Sequence, residues 1–117
     1  MSTIEAPTEV SPEDEAVKDA LAKIAKLFTD LSHPTRLKIV MYIGEYGPAA
    51  PVEMAIPLKT SLGSIAYHVR TLEKMGLIEL KEEARVRGAV KHTYKLSRSG
   101  RRTVKLLKEW ALARTPD

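Results

Sequence analysis

Gly63, Ser64, Tyr67, His68, Arg70, Thr71 and Lys74 follow one another in a short stretch of this chain, small residues first, then hydrogen-bonding ones, then cations. Mounted on one face of a helix, such a set has the slim end, the donors and acceptors and the positive charge that entry into a DNA major groove requires. An ordinary solvated helix face would carry the same residues. The elements that hold them must therefore decide between the two readings.

The segment from Ser61 to Gly76 reads SLGSIAYHVRTLEKMG. Ser61, with Thr60 before it, is placed to cap a helix, Ile65, Val69 and Leu72 form its apolar stripe, and Gly76 closes it, so a helix over 61–75 is expected. Upstream, a short helix from about Pro51 to Ile56, stopped by Pro57, is expected to lay Val52, Met54 and Ala55 beneath it. Helix, short connection and polar-faced helix are the order of a helix-turn-helix.

After Gly76 the apolar period changes to two. Ile78 and Leu80 alternate with Glu79 and Lys81, and Val90, His92, Tyr94 and Leu96 alternate with Lys91, Thr93 and Lys95. Two strands joined by a loop from Glu82 to Ala89 make a hairpin whose tip carries Arg85, Arg87 and Gly88. A cationic hairpin beside a helix-turn-helix is a wing, able to reach the minor groove or neighbouring phosphates with Arg85, Arg87 and Lys91. His92 shares the inward face with Val90 and Tyr94 and is expected to be packed there.

Two longer helices flank this unit. Pro12, followed by Glu13, Asp14 and Glu15, opens one over 13–31, with Val17, Leu21, Ile24, Phe28 and Leu31 spaced by four and three. Leu31 to Arg36 breaks it and starts a second helix, capped by Ser32 or His33, with Leu37, Val40, Met41 and Ile43 on its buried side. The last helix, 98–114, has Leu106, Leu107 and Trp110 among its apolar residues. Its girth suits packing on something larger than one small core, so Val17, Leu21, Ile24, Phe28, Leu106, Leu107 and Trp110 are candidates for a dimer surface. Packing within one subunit would use the same residues.

With 117 residues, 44% apolar and 29% charged, the chain has room for one modest core and the composition of a globular domain. Residues 1–12 read as a flexible acidic tail, and 13–114 as a single domain. No apolar run approaches the roughly 20 residues of a membrane span, and no signal peptide is recognisable at the N-terminus, so a cytoplasmic protein is expected. The absence of cysteine excludes disulfides, cysteine zinc sites and thiol catalysis. No Gly-rich phosphate loop and no supported Ser, His and Asp grouping point to an enzyme, and no cofactor is implied.

The formal net charge of +4 conceals an uneven distribution. Residues 1–15 hold five acids and no Lys or Arg, which leaves the remainder at +9, and twelve cations face four acids between Arg70 and Lys108. A polyanion would meet the second half of the molecule.

Residues Leu31 to Leu96 resemble the ArsR family of winged-helix transcriptional regulators. LSHPTRLKIV, SLGSIAYHVRTLEKMGLIEL and RGAVKHTYKL carry the likeness, and the Tyr67-His68 pair with the Arg-Gly-Ala wing is similar to a subset without a metal site. The resemblance implies a mainly α fold with a small β-hairpin: a winged helix-turn-helix of five helices and a two-stranded wing. It also implies a homodimer built from the terminal helices, the fourth helix in the major groove of a palindromic operator, and, in most members, repression. Where metal-sensing members have a cysteine-rich signature this chain has PVEMAIPL, and its last helix offers Glu109 and the terminal Asp117 but no histidine. His33, His68 and His92 have no ligand spacing, so no metal is expected. A small-molecule effector is left open. The reading is therefore a sequence-specific regulator of double-stranded DNA, with a winged-helix protein-interaction module or a nonspecific architectural DNA binder as alternatives.

Overall fold

Proline writes three of the helix starts. Pro12, Pro34 and Pro51 each occupy the first position of a helix, where the missing N–H would find no intrahelical partner and the fixed φ suits the turn. The computed structural model describes residues 12–114, so the tail and Asp117 lie outside the described residues. Its elements are α1 (Pro12–Leu31), α2 (Pro34–Tyr46), α3 (Pro51–Ala55), α4 (Leu62–Lys74), β1 (Ile78–Val86), β2 (Ala89–Leu96) and α5 (Arg98–Arg114). Among the described residues, five helices and a two-stranded antiparallel hairpin match the expected fold class.

The chain divides into two compact units at Leu31 and Ser32. In the first, α1 buries only Leu31, and its seam of Val17, Leu21, Ile24 and Phe28 faces solvent.

The second unit has its own core. Ile39, Val40 and Ile43 of α2, Met54 of α3, and Ile65, Val69 and Leu72 of α4 meet Leu77, Ile78, Tyr94, Leu96 and Val104 there. Ile39 takes the central place in the α2 stripe, with Leu37 and Met41 at its margins. Burial of these apolar side chains, at roughly 25 cal/mol per Å², is what holds α4 against α2 and α3. Helix α5 joins through Val104, whose Cγ1 lies 3.1 Å from where a Cβ on Gly44 would stand. Leu106 and Trp110, on other sides of the helix from Val104, stay exposed.

The expected charged loop is mostly strand. β1 runs to Val86 and pairs with β2 down to Val86 opposite Ala89, so Arg87 and Gly88 alone make the turn. Both have positive φ, 52° and 81°, as a two-residue turn matched to the strand twist demands. Leu80 faces Tyr94 and Glu82 faces Thr93, which leaves Lys81 as a bulge. Ala49 adds a single bridge to Tyr94, with N···O distances of 2.9 and 3.0 Å in the two directions, and thereby ties the start of α3 to the base of the wing.

Candidate nucleic-acid interface

Both ends of α4 are tied by hydrogen bonds. Ser61 is extended (φ −61°, ψ 147°) and its hydroxyl accepts from the Ser64 amide at 3.2 Å, satisfying one of the free donors of the first turn. At the other end the amides of Gly76 and Leu77 donate to Glu73 and Leu72, at 3.0 and 3.1 Å. With Gly76 at φ 79°, this is a Schellman closure. Lys59, also at positive φ (52°), lies in the connection from α3.

Between those caps Ser61, Gly63, Tyr67, Arg70 and Lys74 are exposed, and Tyr67 shows 57% of its surface. Ser64, Thr60 and Thr71 are half-buried. The Thr60 hydroxyl donates to Leu58 O at 3.0 Å and that of Thr71 to Tyr67 O at 3.3 Å, so both are partly engaged by local backbone. Arg85 and Arg87 are exposed on the outer hairpin.

His68 is a correction. Expected on the exposed face, it is 5% exposed, because it lies beside Ile65, Val69 and Leu72 on the side of α4 turned to the core. Its Nδ1 accepts from Arg36 Nε at 3.1 Å. The His33 ring stands 4.2 Å away, centroid to centroid, and Tyr67 meets it edge-on at 5.1 Å. An Nδ1 that accepts carries no proton, so the ring is neutral with its hydrogen on Nε2. Burial lowers the His68 pKa from its ordinary 6.5, and the neighbouring His33 and Arg36 push the same way. His33 itself caps α2, its Nδ1 accepting from the Thr35 amide at 3.2 Å.

The wing brings two more corrections. Lys91 turns back toward α3 and lies 3.5 Å from Glu53, whose carboxylate also accepts from the Ala50 amide at 2.8 Å. His92 is exposed and pairs with Glu83 at 3.1 Å instead of packing inward, since the outer half of the hairpin extends past the core. Val52 likewise is 58% exposed and faces the space between α3 and the wing, leaving Met54 to fill the core beneath α4. Arg36, which orients His68, was not among the expected site residues. Its partner is thirty-two positions away, and no local pattern signals such a contact.

Among the described residues no group of three or more His, Asp or Glu side chains could hold a metal ion, and no helix is long and apolar enough to cross a membrane.

A capped helix with an exposed polar and cationic side, preceded by a short helix and followed by a cationic hairpin, defines a winged helix-turn-helix. Residues 31–81 match the family model described as a helix-turn-helix domain. No curated protein matches the chain. Among solved structures, it is similar to the transcriptional repressor BigR from Xylella fastidiosa, with 20% identity over 88% of this chain and 97% of that one, at a TM-score of 0.70. It is similar also to the homodimeric winged helix-turn-helix DNA-binding domain of Mb0332 from Mycobacterium bovis, a possible ArsR-family regulator, with 20% identity, 94% of each chain covered and a TM-score of 0.68. The transcriptional regulator HlyU from Vibrio vulnificus matches with 22% identity over 82% of this chain and 95% of that one, at a TM-score of 0.67. The chain thus carries a helix-turn-helix domain over residues 31–81 and has the same winged helix-turn-helix fold as these solved regulators.

Proposed function

We propose that this protein is a homodimeric repressor that binds a palindromic double-stranded DNA operator in the cytoplasm, with α4 in the major groove. The exposed side of α4 carries this reading: a capped helix whose core-facing stripe is fully buried while Tyr67, Arg70 and Lys74 face solvent. Gly63 lets the helix approach closely, Ser64 and Tyr67 serve base edges, and Thr60, Arg70, Thr71 and Lys74 serve phosphates. Arg85 and Arg87 at the wing tip reach the flanking backbone or minor groove, with Lys91 held nearer to α3. His68 supports the reading from behind: by accepting from Arg36 of α2 it ties the helix that carries Tyr67 to α2. Two copies join through α1 and α5, using Val17, Leu21, Ile24, Phe28, Leu106, Leu107 and Trp110. No catalytic step and no cofactor enter this function.

Anisotropy titration of two labelled duplexes tests it, one from upstream of the protein's own gene and one scrambled, each at two salt concentrations. A preference of about 10³ or more for the upstream duplex is expected of a specific regulator. Equal, steeply salt-dependent binding to both would instead mark an architectural DNA binder. No binding even at low salt would mark a winged helix that docks an acidic protein.

A further inference from the structure

Between the wing and helices α3 and α4 lies a cleft of about 690 Å³ that contact with DNA leaves unexplained. Val52, Leu62 and Ala66 line it from the helices, and Val86, Val90 and Tyr94 from the hairpin. Four of these, Val52, Leu62, Val86 and Val90, keep about half of their surface in water. Phosphates and sugars have little to offer such methyl groups, and apolar surface gathered in one concavity marks a binding site more often than chance exposure does.

The charged groups at the cleft narrow its chemistry. Arg70, Lys91 and His92 line it, and no Asp or Glu does. Lys91 already has Glu53 at 3.5 Å and His92 has Glu83 at 3.1 Å. Arg70 makes no ion pair or hydrogen bond among the described residues. An occupant must therefore be largely apolar and bring one anionic group to one guanidinium, whose planar fork suits a carboxylate. The volume falls within the range of small-molecule sites. Aliphatic walls from valine, leucine and alanine favour a hydrocarbon chain.

We propose that this cleft binds a small aliphatic carboxylate, its chain lying between the α3–α4 wall and the wing and its carboxylate on Arg70. A second consequence rests on the DNA reading given above: a guanidinium engaged by the ligand is withdrawn from phosphate, so ligand and operator compete.

Methyl-resolved NMR of the full chain, titrated with decanoate, tests the site without DNA. Saturating shifts centred on Val52, Leu62, Val86 and Val90 are expected. Loss of the charge-assisted contact in Arg70→Gln should weaken binding about tenfold or more, whereas Arg102→Gln on α5 leaves it unchanged. Decanol, with the same chain and no charge, should bind as weakly as decanoate binds the variant. Shifts that never saturate, shifts centred on Phe28 or Trp110, or decanol binding as tightly as decanoate would each overturn the assignment. In a second arm, saturating decanoate should release the upstream duplex. A duplex that stays bound overturns the competition while the NMR result stands, and a protein that binds no duplex at all overturns the DNA reading alone.

Discussion

A buried imidazole that must accept a hydrogen bond has only one comfortable charge state. His68 accepts from Arg36 while 5% exposed, so a proton on its Nδ1 would break that bond and set two cations against each other beside the His33 ring. Its pKa in the folded protein is lowered below the ordinary 6.5, which means that the unfolded chain binds the proton more readily. The stability this residue contributes is therefore complete above about pH 6.5 and is lost as the pH falls through and below that value. Urea midpoints at about pH 7.5 and about pH 5.5 should differ less in His68→Gln, which keeps an acceptor for Arg36 but cannot titrate there. An unchanged difference would assign the acid sensitivity to other groups. Arg70 is the opposite kind of residue, exposed and unpaired among the described residues. If it holds a phosphate, Arg70→Ala weakens every duplex alike and lowers the slope of log affinity against log salt by about one. An equal slope would remove it from the DNA contacts.

Among elements, the join between α4, the hairpin and α5 is the most tightly specified. The Ser97 hydroxyl donates to Gly76 O and accepts from the Gly100 amide at 3.0 Å, while the Ser97 amide donates to Leu77 O at 3.0 Å. A Cβ on Gly100 would stand 1.9 Å from that same Leu77 carbonyl oxygen, which is backbone and cannot swing aside. Gly100→Ala should therefore destabilise by about 2 kcal/mol or more despite alanine's better helix propensity. Gly63→Ala on α4, with nothing within 4 Å of its new methyl, should be neutral or stabilising in the same urea titration. A mild Gly100→Ala would show that the α4–α5 join can shift.

The elements themselves were legible because their signals are local: proline at helix starts, Ser61 and Gly76 as caps, and the change of period after Gly76. Even the burial of His68 is written in the spacing, since it lies three residues after Ile65 and four before Leu72. Residue type argued the other way, and its partner Arg36 is supplied by another helix. The length of the wing was obscured because Glu82 to Arg87 is charged on both faces, as a hairpin standing in solvent allows. The bulge at Lys81, the ion pair of Lys91 and the cleft arise only from pairing and packing, for which periodicity carries no signal.

For the molecule as a whole, the proposed dimer would cover the exposed seam of α1 and the exposed Leu106 and Trp110 of α5. A charge in the middle of such a seam must be desolvated when two copies meet. Phe28→Glu should thus yield monomers in sedimentation velocity at concentrations where the parent chain is dimeric, and operator affinity should fall with it. A dimer that persists would place the interface elsewhere. Trp110 is the chain's one tryptophan, 51% exposed on α5 and absent from the lining of the wing cleft. If two copies join through α5 as proposed, the protein carries its own optical gauge of assembly: indole emission should move to the blue as that face is covered and return to the red on dilution, blind to what occupies the wing.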